Sequence, residues 1–251
     1  MTIQEKVYIP LLEKFCSGIK DYHKKIDINS VFLANSMMNY EESTEKYFYI
    51  GRDTYGWHNF DQMIELCTSN KADEYININN KWLTPENIIS HSSNNSGSFW
   101  TTVIKLHLYL STNKIVKNVN NLTKDQIKLL KSIGWGNLNS IETTPAWEII
   151  NPDYYWDIKI KSKIFDKLKI ILDIYKPKKI FIFNWCDNNK CDEYLENIDV
   201  EFDNKVYIQD IIAIYKIKNY DAKIYWTSHP NRFKWLKTNN DKIIQTIINV
   251  L

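Results

Sequence analysis

Three polar residues, Asp53, Asn137 and His229, each stand at or just beyond the end of a short apolar run. An aspartate can place and activate a water molecule, and a histidine can stabilise a departing anion. An asparagine amide carries a donor and an acceptor side by side, so it can read the polar edge of a ring. Together these side chains could hydrolyse an N-glycosidic bond through an oxocarbenium-like transition state.

Each of the three residues also has an ordinary structural explanation. Asp53 could form an Asx turn or cap a helix, and His229 beside Pro230 could be a surface histidine. Asn137 inside an apolar strand costs desolvation unless its amide is paired, so it is either a structural bridge or a reader of a ligand's edge. The chemical interpretation therefore depends on the three residues converging on one place.

Both arginines of the chain fall in the same segments as these residues. Every other basic residue is a lysine, but Arg52 precedes Asp53 and Arg232 follows His229 by three positions. A guanidinium fork holds phosphate or carboxylate through two hydrogen bonds, whereas lysine is a flexible point charge. Chance could place two arginines there, but the pattern favours anion contacts at both positions.

The elements that would position these residues alternate along the chain. Apolar runs predict strands at 47–50, 133–138, 180–185 and 224–227, and apolar residues at helical spacing predict helices at 5–24, 59–67, 99–110, 124–131, 161–175 and 240–251. This order predicts an α/β fold with a central, mostly parallel four-stranded sheet and helices on both faces. Ligands bind such sheets at the carboxyl ends of the strands, where all three polar residues are expected.

No Pro/Gly/Ser-rich linker divides the chain, so one domain is predicted over residues 1–251. Its expected parts are an N-terminal helical part at 1–44, a sheet core bearing the motifs at 45–236, and a C-terminal helix at 237–251. The chain is expected to be a monomer.

Composition excludes little about partners. The net charge of +2 neither demands nor excludes nucleic acid, because a balanced total can hide a basic face. The sequence has no signal-peptide pattern and no apolar run of the roughly 18 residues that a membrane span requires, so a soluble cytoplasmic protein without a membrane partner is expected.

The four cysteines, Cys16, Cys67, Cys186 and Cys191, form no Cys-x-x-Cys pair and no zinc-like spacing, so neither a metal nor another cofactor is predicted.

The segments around Asp53 and His229 resemble motifs of the uracil-DNA glycosylase superfamily. Its first motif is commonly Gly-Gln-Asp-Pro-Tyr-His, and residues 51–56 here are Gly-Arg-Asp-Thr-Tyr-Gly. Its last motif begins His-Pro-Ser, and residues 229–231 are His-Pro-Asn. Between them the family has an asparagine at a strand end, which Asn137 in Trp-Gly-Asn-Leu resembles. The resemblance spans roughly residues 45–236.

The resemblance implies a role for each matching residue. Asp53 would position the attacking water, His229 would stabilise the departing base anion, and Asn137 would recognise the base edge, with Asn139 as the alternative reader. Tyr55 would lie beside C5 of a pyrimidine. The implied base-binding residues are Asn137, Asn139, Tyr55, Gly56 and Trp57, and the implied DNA contacts are Arg52, Arg232, Phe233, Trp235 and Leu236. The partner would be duplex or single-stranded DNA with the target base flipped out.

The departures from the family pattern concern the base pocket more than the water site. Arg52 and Thr54 replace glutamine and proline, and Gly56 and Trp57 follow the tyrosine where the family has a histidine. Hydrolysis of the N-glycosidic bond is therefore expected, on uracil or on a modified pyrimidine such as the glucosylated 5-hydroxymethylcytosine of phage DNA, as in bacterial anti-phage members of the superfamily. Two alternatives stay open, namely a non-catalytic nucleic-acid-binding protein with this fold and a hydrolase of free nucleotides or nucleosides.

Overall fold

Four apolar runs of the sequence form adjacent parallel strands at the centre of one sheet. The computed structural model describes residues 1–19, 28–51, 60–93, 98–138, 140–143, 168–185, 200–208, 212–230 and 240–251. The four strands are β3 (Tyr47–Gly51), β4 (Ile133–Asn137), β6 (Lys179–Trp185) and β9 (Lys223–Ser228), in the lateral order β4-β3-β6-β9. Strands covered on both faces are apolar almost throughout, which is why these runs could be recognised. Their prediction is confirmed.

Within the described residues the sheet has seven strands, so the prediction of a four-stranded sheet was wrong. At one edge β2 (Asn35–Ser36) pairs antiparallel with β4, and at the other β8 (Ile212–Ile217) pairs antiparallel with β9 and β7 (Phe202–Ile208) with β8. Most of β7 is exposed and three polar residues, 203–205, interrupt its apolar ones, and β2 has two residues, so neither carries a long apolar run. A separate two-stranded ladder joins β1 (Ile28–Val31) to β5 (Ile141–Thr143).

Helices cover both faces of the sheet, as predicted. The helices expected from apolar spacing are α1 (Ile3–Ile19), α2 (Phe60–Thr68), α5 (Ser98–Thr112), α6 (Lys124–Leu130), α7 (Leu168–Tyr175) and α8 (Asn240–Ile248). The predicted residues 20–24 and 161–167 lie outside the described ranges. Two further helices, α3 (Ala72–Trp82) and α4 (Pro85–Ser92), were not predicted, because their sequences are mostly polar and bury few residues.

Alternate residues of each strand point to opposite faces and build two cores. On one face Phe48 and Ile182 pack with α1, α2, α3 and α7, and on the other Tyr49, Trp135 and Phe181 pack with α4, α5, α6 and α8. Over the described residues, no helix combines the length and the apolar character that crossing a membrane requires.

Phe48 fits into the sheet because a glycine stands beside it in β4. Gly134 is the register partner of Phe48, and a Cβ added to Gly134 would lie 2.2 Å from Phe48 Cδ2 and 2.9 Å from Tyr40 Cε2. At Gly136 an added Cβ would meet Phe48 Cε1 at 3.1 Å and Ile171 Cδ1 at 3.2 Å, contacts that small shifts of side-chain ends relieve.

Gly134→Ala is therefore expected to lower the free energy of unfolding by about 2–3 kcal/mol, the upper part of the usual cost of overpacking a core. Gly136→Ala, the matched control in the same strand, is expected to cost about 1 kcal/mol or less. Urea unfolding of the two variants measures both values. Equal losses of unfolding free energy in the two variants would mean that β4 can move away from Phe48 at little energetic cost.

A buried histidine joins α5 to the neighbouring elements. His107 is 0% exposed; its Nδ1 lies 3.1 Å from Tyr49 Oη, and its Nε2 lies 3.1 Å from both Leu129 O and Ser132 Oγ. Because the carbonyl of Leu129 only accepts, Nε2 carries the proton and Nδ1 accepts from the tyrosine hydroxyl. Burial lowers the pKa of His107 from 6.5 to about 4, against a smaller opposite effect of the hydrogen bond to Leu129.

The lowered pKa of His107 makes stability depend on pH. Above pH 6.5 the imidazole is neutral in both states and its contribution is fully present; as the pH falls towards 4 only the unfolded chain takes up the proton, so the contribution is lost. The loss by pH 4 is expected to be about 3 kcal/mol, because each unit by which the two pKa values differ corresponds to about 1.4 kcal/mol. His107→Gln should show a correspondingly flatter decline of stability between pH 6.5 and 4 in urea unfolding. Tyr49→Phe, which keeps the imidazole, should retain the decline, and an unchanged decline in His107→Gln would contradict the assignment.

Candidate active site

Four residues form a row across the carboxyl ends of the parallel strands. Asn137 of β4 pairs with Gly51 of β3, and Phe183 of β6 pairs with Thr227 of β9. Because β3 and β6 are neighbours in parallel register, Gly51 and Phe183 complete the row on one face of the sheet. The carboxyl end of the sheet, where the sequence predicted ligand binding, therefore carries a row in which the polar residues Asn137 and Thr227 flank Gly51 and Phe183.

The strand order places a topological switch point within this row. From β3 the chain continues to β4 on one side, and from β4 it crosses to β6 on the other side of β3. In open α/β sheets the crevice for ligands lies at the carboxyl ends of the strands where the order reverses in this way. Here that place is the end of β3, at Gly51, from which the segment containing Asp53 continues.

Asn137 is buried with an unpaired amide. Its side chain is 5% exposed, and its Nδ2 has no hydrogen-bond partner in the part of the chain that the structure describes. A Cβ on Gly51 would lie 2.8 Å from Asn137 Oδ1, so the side chain occupies space that only glycine at position 51 leaves open. An unsatisfied buried donor costs about 1–3 kcal/mol, and one in a native structure calls for an explanation such as a ligand that accepts from it.

A second buried asparagine shows what a structural bridge looks like in this protein. Asn79 in α3 is 1% exposed; its Nδ2 donates to Tyr75 O at 3.0 Å and its Oδ1 accepts from Leu33 N at 3.5 Å. Asn137 was expected to be either a structural bridge or a reader of a ligand's edge. The described contacts do not give its amide group a bridge of the kind that Asn79 makes.

The two asparagines are expected to respond oppositely to truncation. Asn79→Ala should lower the free energy of unfolding by about 1–2 kcal/mol, because the buried backbone amide of Leu33 loses the side-chain oxygen that accepts from it. Asn137→Ala should leave it unchanged or raise it by up to about 1 kcal/mol, because an unpaired buried donor is removed. Urea unfolding of both variants tests this, and a loss in Asn137→Ala as large as in Asn79→Ala would assign Asn137 to the structure alone.

Aromatic residues line the same edge. Phe99 at the start of α5 is half-buried, and its Cε2 lies 3.4 Å from the position that a Cβ on Gly51 would occupy. Its ring stands edge-on to Phe183 at a centroid distance of 5.8 Å and to Trp100 at 5.1 Å. Sequence spacing assigned Phe99 to the buried stripe of α5, and no local signal could have found its place at the rim, because that place depends on how α5 lies on the sheet.

His229 stands at the same carboxyl end of the sheet, after β9, which lies beyond β6 as counted from β3. It directly follows β9, it is half-buried, and Pro230 after it is buried. Two residues earlier Thr227 is 1% exposed and belongs to the row described above. The structure thus brings His229 and Asn137 to the same end of the sheet, with β3 and β6 between their strands.

The other predicted site residues lie outside the described ranges. Residues 52–59 contain Arg52, Asp53, Tyr55, Gly56 and Trp57; position 139 is Asn139; and residues 231–239 contain Arg232, Phe233, Trp235 and Leu236. The positions that precede these segments are described. Gly51 O accepts from Leu138 N at 2.9 Å, which ties the end of β3 to the residue after Asn137.

No family model and no characterised protein matches this chain. Across the ranges that the structure describes, no three histidine, cysteine or acidic side chains are grouped to hold a metal ion. The described rim supplies a buried amide donor, an aromatic wall and a histidine, a set suited to holding a planar ligand with a polar edge.

Proposed function

We propose that this protein is a monofunctional DNA glycosylase of the uracil-DNA glycosylase type, which hydrolyses the N-glycosidic bond of uracil or a modified pyrimidine and leaves an abasic site. The observation that carries the proposal is the buried, unpaired Nδ2 of Asn137 beside Gly51. It lies where the motif containing Asp53 leaves the sheet, at the edge to which His229 also belongs.

In the proposed reaction the water oxygen bonds to C1′ of the deoxyribose while the bond from C1′ to the base nitrogen breaks. Asp53 orients the water and takes up its proton, and its charge stabilises the sugar cation of the transition state. The electron pair of the broken bond leaves with the base, and His229 donates a hydrogen bond to the resulting anion. Asp53 and His229 are thus the proposed catalytic residues.

Base selection is assigned to the described rim and the adjoining motif. The Nδ2 of Asn137 donates to an acceptor on the polar edge of the flipped base, and Phe99 and Phe183 give the pocket an apolar, aromatic wall. Tyr55 borders C5 of the pyrimidine, and Gly56 in place of a histidine leaves room for a larger base. A 5-substituted cytosine, such as glucosylated 5-hydroxymethylcytosine in phage DNA, is therefore proposed as a substrate beside uracil, and phage defence as the corresponding role.

DNA contacts are assigned to the segment that follows His229. Arg232 would hold a backbone phosphate, and Phe233, Trp235 and Leu236 would help to keep the base out of the stack, with Arg52 as a second phosphate contact. Contacts of this kind position the DNA without specifying the base, which is left to Asn137 and its neighbours.

The test is incubation of the protein with duplex and single-stranded DNA that contains uracil, unmodified cytosine or glucosylated 5-hydroxymethylcytosine. Alkaline cleavage reports abasic sites, and mass spectrometry identifies the released base. The expected result is release of one or both of the proposed bases and none of unmodified cytosine. DNA binding without release would favour the non-catalytic alternative, and release from free nucleotides but not from DNA would favour the nucleotide hydrolase.

A further inference from the structure

Three lysines stand side by side across the sheet, at the end where the parallel strands begin. Lys179 of β6 pairs with Lys223 of β9, and Lys223 pairs in turn with Lys216 of β8. Register partners on neighbouring strands point to the same face of a sheet and lie about 5 Å apart. These three side chains form the lysine row, which occupies one face at one end of the sheet.

The lysine row borders a closed part of the core. Phe181 and Tyr225 stand two residues further along β6 and β9, their rings stack at a centroid distance of 5.3 Å, and both belong to the core that α5 and α8 cover. Lys179 is half-buried, and the other two lysines are exposed. The aliphatic stems of the row therefore begin at the margin of an apolar layer, and the ammonium groups extend towards solvent.

Carboxylates balance little of the charge of the lysine row. Glu45 lies 3.8 Å from Lys179 Nζ and 3.9 Å from Lys178 Nζ, so one acidic group is shared by two lysines. Across the described residues, neither Lys216 nor Lys223 forms an ion pair. The row therefore carries two positive charges that no described carboxylate neutralises.

The usual reason for lysine in a strand does not apply to this row. Lysine often protects the open edge of a sheet, but β6, β9 and β8 each have a paired strand on both sides. Like charges directly opposite each other are destabilising, and Lys223 has a lysine opposite it on either side. An arrangement that costs stability in the protein alone is explained if an anion binds to it.

We propose that the lysine row binds an anion that carries two or more phosphate groups. Each lysine ammonium offers three hydrogen-bond donors and no acceptor, and a phosphate group carries about 1.5–2 negative charges at pH 7. One phosphate group can contact two neighbouring lysines of the row, and a second group extends the contact to the third. Free oligophosphates and the backbone of a nucleic acid share this chemistry.

The lysine row is separate from the candidate active site. It lies at the opposite end of the strands from Asn137 and Thr227, and β6 alone has seven residues between Lys179 and Trp185 inclusive, which corresponds to about 20 Å of strand. A small anion held by the row therefore does not reach the base pocket. Its binding is independent of the proposed hydrolysis.

The experiment measures the Tm of the full-length protein in chloride buffer, and then with sodium tripolyphosphate or a short single-stranded DNA at matched ionic strength. A ligand at roughly ten times its dissociation constant is expected to raise the Tm by about 3–6 °C. In Lys223→Gln, which removes the central charge of the row, most of this rise should disappear. Lys81→Gln, the matched control at an exposed lysine of α3 on the other face of the sheet, should keep it.

The variant carries its own check of folding. Lys223→Gln relieves the repulsion within the lysine row, so in chloride alone its Tm should equal or exceed that of the parent protein. A loss of the response to phosphate in this variant then reports lost binding and not a lost fold.

The two probes distinguish the sources of phosphate. A rise in Tm with tripolyphosphate that is lost in Lys223→Gln supports a free oligophosphate as the ligand, and a rise with DNA alone that is lost in the same way supports a nucleic-acid backbone. Equal rises in the parent protein and in Lys223→Gln would reflect a general effect of the anions on stability. That result, or no rise with either probe, would overturn the proposal.

Discussion

Asp53→Asn is expected to reduce the rate of base release from DNA roughly 10²- to 10⁴-fold, the range over which a positioned acid–base group contributes to catalysis. Asparagine keeps the shape of the side chain but has no charge to stabilise the sugar cation and no basic oxygen to take up the proton of the water. DNA binding should not change, because the residue is proposed to act on the water and the sugar. Single-turnover release of base and a separate binding titration measure the two effects.

Asp125→Asn provides the matched control, since it makes the same chemical change at an exposed position in the first turn of α6. It should leave base release unaltered. If Asp53→Asn released base at the rate of the parent protein, Asp53 would return to the role of a turn or cap residue. If it lost activity and DNA binding in equal measure, the residue would belong to the DNA contacts.

The sequence predicted the part of the fold that is buried on both sides. β3, β4, β6 and β9 are covered by helices on both faces, so burial requires nearly continuous apolar runs there, and such runs are visible locally. β7 pairs at the outer edge with most of its residues exposed, and α3 buries only Ala72, Tyr75, Ile76 and Asn79. Elements of this kind owe their stability to their tertiary neighbours, and spacing alone does not reveal them.

Some features of the candidate site could likewise be predicted from the sequence, and others could not. The positions of Asn137 and His229 at one edge could be predicted, because parallel strands bring their carboxyl ends together. The unpaired state of Asn137 Nδ2 could not be predicted, since the buried Asn79 has the same amide with both groups bonded. The approach of Phe99 to Gly51 depends on the packing of α5 against β3, which no residue near Phe99 specifies.

His229→Ala is expected to lower the turnover of base release roughly 10²- to 10³-fold, or about 3–4 kcal/mol, the usual cost of removing one donor to a developing anion. The interaction strengthens as charge moves onto the base, so the affinity for intact DNA should change little. His91→Ala is the matched control: His91 is a half-buried histidine of α4 that packs against Trp82 at a centroid distance of 5.1 Å and is not one of the proposed site residues.

The chemistry of the leaving base offers a second readout for His229. A substrate whose base leaves more readily as an anion needs the donor less, so the loss in His229→Ala should shrink when uracil is replaced by 5-fluorouracil, whose ring is more acidic. If His229 instead acted only on the bound substrate, His229→Ala would lower turnover by the same factor on both bases. An affinity for DNA weakened by the full 10²-fold, with turnover intact, would instead make His229 a DNA contact and leave the departing base without its stabilising group.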